Sequence, residues 1–76
     1  MEIADQIIEA VERSRKFDTI VFVDIPEADV DGCVSLLADQ SDNHDFVRNG
    51  DVMEVWGWDD EQPEGAMDWR VHLRIS

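Results

Sequence analysis

Residues 45–58 read DFVRNGDVMEVWGW, and this stretch decides the fold. Asn49-Gly50 lies between two apolar runs. A type I′ turn needs positive φ at both central residues, and Asn-Gly supplies that most readily. The sequence therefore predicts a two-residue β-hairpin with Asn49 and Gly50 at its tip. The predicted cross-strand pairs are Arg48 with Asp51, Val47 with Val52, and Phe46 with Met53.

A second strand pattern follows the hairpin, after an acidic connection over residues 59–65. Apolar and polar residues alternate strictly from about residue 66 to 75, which is typical of a strand with one buried face. Met67, Trp69, Val71, Leu73 and Ile75 are predicted to point one way, and Asp68, Arg70, His72 and Arg74 the other.

The segment before the hairpin predicts a helix, a strand and a second helix. Residues 2–16 form an amphipathic helix with the apolar stripe Ile3, Ala4, Ile7, Ile8 and Val11. In it, i,i+4 pairs are expected between Glu9 and Arg13 and between Glu12 and Lys16. Residues 19–25 form a strand, and the apolar run 20–23 indicates a central strand covered on both faces or nearly so. Residues 27–39 form a helix with the stripe Val30, Cys33, Val34 and Leu37.

The order α-β-α-β-β-β predicts one α+β domain over residues 1–76. Two helices are expected on one face of a mostly antiparallel four-stranded sheet, giving a two-layer sandwich. The other face of the sheet would meet solvent or a partner.

The charge of the chain limits its partners. Nineteen acidic and 6 basic residues give a formal net charge of −13. Such a surplus repels nucleic acid and anionic membranes and attracts basic proteins. The single cysteine cannot form an internal disulfide and no signal-peptide pattern opens the chain, so a cytoplasmic location is expected.

No catalytic, cofactor-binding or metal-binding motif is present. His44 and His72 have no Cys or His at ligand spacing, and the acidic loop lacks the spacing of an EF-hand. We therefore expect a chain that is not an enzyme and needs no cofactor or metal. Cys33 is expected to be a buried, inert thiol.

Two sets of residues are candidates for partner binding. Met53 and Val55, with Phe46, make the better core set, which places Glu54, Trp56 and Trp58 on the outer face of the sheet. Exposed tryptophans are typical anchors of interfaces, although either one could instead fold over the sheet edge or under the acidic loop. The acidic set is Glu2, Asp5, Glu9 and Glu12 on the first helix, with Asp59, Asp60, Glu61, Glu64 and Asp68 around the loop.

In size, layout and the runs Glu2-x-x-Asp5-x-x-x-Glu9-x-x-Glu12 and Asp59-Asp60-Glu61, the chain resembles small acidic proteins of phages and mobile elements, anti-CRISPR proteins and DNA mimics in particular. The resemblance covers the whole chain and is one of class, without a diagnostic motif. It implies a non-catalytic inhibitor that occupies a Lys/Arg-lined nucleic-acid groove of a CRISPR effector complex or nuclease. Two alternatives remain: a halophile-type domain whose acidity maintains hydration, and an antitoxin-like protein that pairs with a basic partner.

Overall fold

The computed structural model describes residues 1–76 and contains two helices and four strands. The acidic residue Asp5 lies in the first turn of the first helix and Arg15 and Lys16 lie in its last, which suits the helix dipole. A short 3₁₀ turn, Glu27–Asp29, leads into the second helix. The elements are α1 (Ile3–Phe17), β1 (Ile20–Ile25), α2 (Val30–Ala38), β2 (Asn43–Asn49), β3 (Val52–Trp58) and β4 (Trp69–Ile75).

The strands form one sheet in the order β1-β4-β3-β2. β2 pairs with β3 and β3 with β4 in antiparallel fashion, whereas β1 and β4 run parallel. Both helices pack on one face of the sheet. The α+β two-layer fold with a mostly antiparallel sheet is therefore confirmed.

The prediction that β1 is a central strand was wrong. β1 lies at one edge of the sheet, and its burial alternates: Val23 and Ile25 are buried beneath the helices, whereas Phe22 is 51% exposed on the open face. An apolar run alone does not distinguish a strand covered on both faces from an edge strand with an uncovered apolar face.

The hairpin exists, but its tip lies one residue later than predicted. Asn49 pairs with Val52, Arg48 with Met53 and Phe46 with Val55, so Gly50 and Asp51 form the loop. Gly50 has a φ of 59°, whereas Asp51 is not among the residues with positive φ. This is the φ pattern of a type II′ turn, which needs glycine at its first central position only. Phe46 shares the face of Val55, but it is 47% exposed rather than part of the core because β2 is an edge strand.

The core lies between the helices and the inner face of the sheet. The stripe on α1 is rotated from the predicted one, because Ala10 and Ser14 are buried while Ala4 and Ile8 are exposed. Cys33 is buried on α2, as predicted. The other buried apolar residues are Ile7, Val11, Val23, Ile25, Val30, Leu37, Met53, Val55, Trp69, Val71, Leu73 and Ile75.

Trp69 is completely buried, and its indole ring packs directly on Gly57. The two residues are paired across β3 and β4, and a Cβ atom on Gly57 would lie less than 3.0 Å from both the indole ring and Ser41. The indole Nε1–H donates a hydrogen bond of 3.1 Å to the Ser41 hydroxyl. The ring thus covers a stretch of bare backbone, an arrangement known to stabilise glycines in sheets.

The predicted alternation of the last strand holds from Trp69 onward and fails before it. Met67 is 50% exposed and lies beside open-face residues such as Arg70, whereas Asp68 turns toward α1, where it binds Arg15. The strand begins at Trp69, so residues 67 and 68 are not held to its alternation. Asp68 therefore lies apart from the row formed by Arg70, His72 and Arg74.

Candidate functional site

The four acidic candidates on α1 form a continuous stripe on its outer side. Glu2, Asp5, Glu9 and Glu12 are all exposed, and their helical positions lie opposite the buried residue Ile7. Since α1 rests on the sheet through that buried side, the stripe lies on the solvent side of α1, and Glu9 also borders the groove between α1 and β1. We call these four residues the α1 acidic stripe.

None of the stripe carboxylates takes part in an ion pair. The expected pairs between Glu9 and Arg13 and between Glu12 and Lys16 are not formed, so Arg13 and Lys16 are the two Lys or Arg side chains without an anionic partner. The ion pairs of the molecule lie elsewhere and join Arg15 to Asp68, Arg48 to Glu27, Arg70 to Asp18, and Arg74 to Asp24.

Two carboxylates of the acidic loop bind neighbouring backbone and side-chain groups. Asp59 accepts a hydrogen bond of 3.0 Å from the backbone N–H of Asp42, and Asp42 accepts one of 3.1 Å from the N–H of Asp60. Asp60 also accepts a bond of 2.7 Å from the Asn43 amide. These contacts join the loop before β2 to the loop after β3, so Asp59 and Asp60 have a structural role. Glu61 and Glu64 are exposed and make no side-chain hydrogen bond.

Asp68 is also occupied within the molecule. Its carboxylate lies 2.6 Å from Nε of Arg15 and accepts a second hydrogen bond, of 3.3 Å, from Gln62. It ties the start of β4 to the end of α1, so this carboxylate is less available to a partner than the α1 acidic stripe.

Trp56 and Trp58 lie on the open face of the sheet, as the alternation predicted, and both are half-buried. Trp56 borders a shallow groove of about 360 Å³ between β1 and β2. The sequence did not predict this groove, because two of its apolar walls are Ile20 and Met67. Ile20 lines the groove because β1 is an edge strand, and Met67 lines it because this residue does not follow the alternation of β4. The lining residues are Ile20, Val47, Glu54, Val55, Trp56, Met67, Arg70 and His72.

The open face carries a more balanced charge than the α1 acidic stripe. Arg74 forms an ion pair of 2.8 Å with Asp24, and its guanidinium lies 5.2 Å from the centre of the Phe22 ring. His72 packs edge-on against Phe22 and lies 3.4 Å from Glu54. Arg74 is thus paired with a carboxylate on β1, and His72 lies beside a carboxylate on β3.

The twelve candidate residues therefore do not form one surface. The α1 acidic stripe lies on the helical side, Glu54 and the tryptophans lie on the opposite face of the sheet, and the loop residues lie at one end. A single flat partner can contact the stripe or the open face, but the sheet separates the two.

The remaining candidates are potential metal ligands and the Cys33 thiol. No three His, Cys, Asp or Glu side chains are placed to share a metal ion. Burial raises the pKa of the Cys33 thiol, and the nearby carboxylate of Asp29 raises this pKa further. A thiol with a raised pKa is a poor nucleophile because little of it is thiolate at neutral pH.

Comparisons with protein-family models, with curated proteins and with solved structures find no match to this chain. Neither helix is long and apolar enough to cross a bilayer.

Proposed function

We propose that this protein is a non-catalytic inhibitor that docks its helical side on a Lys/Arg-lined groove of a nucleic-acid-binding protein, such as a CRISPR effector complex or nuclease of a host defence system. The observation that carries the proposal is the α1 acidic stripe, in which four neighbouring carboxylates point to solvent without an internal cation. Carboxylates in ion pairs would have to exchange one partner for another, whereas these are free to bind.

The spacing of the stripe supports mimicry of nucleic acid. Glu2 to Glu12 spans about 15 Å of helix axis at 1.5 Å per residue, so the stripe presents one negative charge per roughly 5 Å. One strand of duplex DNA presents one per about 3.4 Å. A groove built for phosphates therefore meets a comparable charge density on α1, held on a rigid element.

Charge also sets the kinetics of binding. The net charge of −13 attracts a positive groove over distances comparable with the Debye length, which is about 10 Å at 0.1 M salt. Such steering raises association rates by roughly 10- to 1,000-fold and weakens as salt is added.

The test is displacement of a labelled DNA duplex from a CRISPR effector complex or nuclease of the host. Fluorescence anisotropy measures the displacement at several salt concentrations. The stripe variant D5N/E9Q/E12Q is compared with the control D31N/D39N/D51N, which removes the same number of charges at exposed positions outside the stripe. Losing three exposed charge contacts should weaken displacement by about 10- to 100-fold for the stripe variant only.

Equal losses in both variants, or displacement that does not change with salt, would contradict the proposal. Unfolding of the protein at low salt would favour the halophile-type alternative. Capture of one basic protein that binds no nucleic acid would favour the antitoxin-like one.

A further inference from the structure

The outer edge of β1 offers unpaired backbone groups. Ile25 accepts a hydrogen bond from Ser76 at the end of β4, so the backbone groups of Ile25, Val23 and Val21 point toward β4. Successive residues of a strand point their N–H and C=O groups to opposite sides, so those of Ile20, Phe22 and Asp24 point away from the sheet. No side chain makes a hydrogen bond to these groups, and an edge of this kind is a template for another strand.

The other edge of the sheet is protected in a way that β1 is not. On β2 the backbone N–H of Phe46 donates a hydrogen bond of 2.8 Å to the carboxylate of Asp45, which occupies the position that an added strand would need. Charged residues on an edge strand discourage pairing in the same way. The two edges therefore differ, because an outward backbone amide is bonded to a side chain on β2, whereas those of β1 are not.

A groove of about 370 Å³ runs beside the β1 edge, between that strand and α1. On the helix side it is lined by Gln6, Glu9, Ala10 and Arg13, and Phe22 lies on the strand side. Charge along the helix side of this groove changes sign, with Glu9 first and Arg13 one turn after it. An antiparallel copy of the same helix places Arg13 of one copy on the side of Glu9 of the other.

We propose that a second copy of this chain pairs with the β1 edge, antiparallel, to form a two-fold symmetric dimer with a continuous eight-stranded sheet. Phe22 lies on the two-fold axis opposite Phe22 of the second copy, and Ile20 lies opposite Asp24 of the second copy. In this register each edge residue exchanges both of its backbone hydrogen bonds. No carboxylate faces another carboxylate directly.

The helices fit this arrangement. Strands in a sheet are about 4.8 Å apart, and α1 packs above β1 and β4, so the two copies of α1 lie about 10 Å apart across the axis. This separation is at the upper end of the usual 8–10 Å for packed helices. Glu9 then lies near Arg13 of the second copy, so a cation without a partner in the monomer gains one. Asp5 and Glu12 remain outward, so in the dimer the α1 acidic stripe keeps those two carboxylates for the proposed inhibition, whereas Glu9 is shared with the second copy.

Two measurements on the full chain test the dimer. Sedimentation equilibrium should show a concentration-dependent shift from monomer to dimer. Amide exchange followed by NMR should slow by about fivefold at Ile20, Phe22 and Asp24 when the protein is tenfold above the dissociation constant, because roughly a fifth of the chains are then monomers. The amides of Val21 and Val23 already face β4 and should not change. A monomer at all concentrations, or a dimer without protection at these three amides, would overturn the proposal.

Charge reversal identifies the interface independently. E9R and R13E should each weaken dimerisation by about tenfold, since each replaces two symmetric ion pairs with repulsion, and the double variant E9R/R13E should restore it. E12R changes the net charge by the same amount as E9R on the outward side of α1, and should leave dimerisation unchanged or strengthen it. A double variant that is no better than the single ones would show that Glu9 and Arg13 do not meet. Circular dichroism confirms that each variant is folded.

Discussion

Replacing Ser14 with alanine tests how α1 is joined to the sheet. Ser14 is 1% exposed, and its hydroxyl makes two hydrogen bonds of 2.7 Å. It accepts one from the backbone N–H of Arg70 and donates the other to the carbonyl of Thr19. In a parallel ladder these two backbone groups would bond to each other, so the hydroxyl completes the end of the β1–β4 pairing.

The expected loss of stability follows from these contacts. S14A leaves two backbone groups without partners, at a cost of about 1–3 kcal/mol for each group that stays dry. Thr19 is at the surface, so water can reach its carbonyl and the lower half of that range applies to it. Alanine returns about 0.5 kcal/mol through its higher helix propensity. We expect a net loss of about 2–3 kcal/mol, which lowers the Tm of a domain of this size by roughly 10–20 °C.

Thermal and urea unfolding monitored by circular dichroism measure this loss. The control is S35A, the same chemical change at an exposed position of α2, which should be neutral or slightly stabilising. If S14A and S35A unfold within about 0.5 kcal/mol of each other, a margin typical of harmless surface changes, the hydroxyl does not bridge the two strands.

Three further predictions concern single positions. G57A should lower the free energy of unfolding in urea by about 1–3 kcal/mol, because the added Cβ overlaps the Trp69 ring. The control G32A has open space around it and should raise the free energy of unfolding by up to about 1 kcal/mol. Similar effects of the two variants would contradict the close contact at Gly57. D18G should raise the free energy of unfolding by about 0.5–1 kcal/mol, because Asp18 has a φ of 48° and glycine adopts positive φ without strain. A lower free energy of unfolding would show that the exposed ion pair of Asp18 with Arg70 stabilises the fold by more than this strain costs. Because burial raises the pKa of Cys33 in the folded protein, the unfolded chain loses the thiol proton first, so stability should fall as the pH rises above about 9. C33A should lack this part of the loss. A C33A variant whose stability falls with pH as steeply as that of the unmodified protein would refute the role of Cys33.

The sequence predicted the order and type of all the elements, because hydrophobic periodicity records which face of each element is buried. It predicted Trp69, Val71, Leu73 and Ile75 as core residues for the same reason. It did not predict that β1 lies at an edge, because strand order depends on which strands pair over long distances. The hairpin tip was misplaced by one residue, since both Asn49-Gly50 and Gly50-Asp51 fit a two-residue turn.

The candidate site was predictable only in part. Helical spacing placed the α1 acidic stripe on one side, and alternation placed Trp56 and Trp58 on the open face. Local patterns did not show that the sheet separates these two sets, or that Asp68 is held by Arg15. The open edge of β1 also depends on tertiary structure, because Phe22 belongs to an apolar run that fits a covered strand equally well.

The parallel pairing of β1 with β4 has a consequence for how the chain reaches its fold. Asp24 and Arg74, paired on these strands, are 50 positions apart in the chain. Closing a loop of that length carries an entropic cost before the contacts can form, and folds rich in such distant contacts fold slowly. On the ribosome, α1 and β1 emerge first but cannot complete their packing until β4 has been synthesised. Until then Val23 and Ile25 lack their permanent neighbours, and this interval is when the nascent chain is most exposed to aggregation.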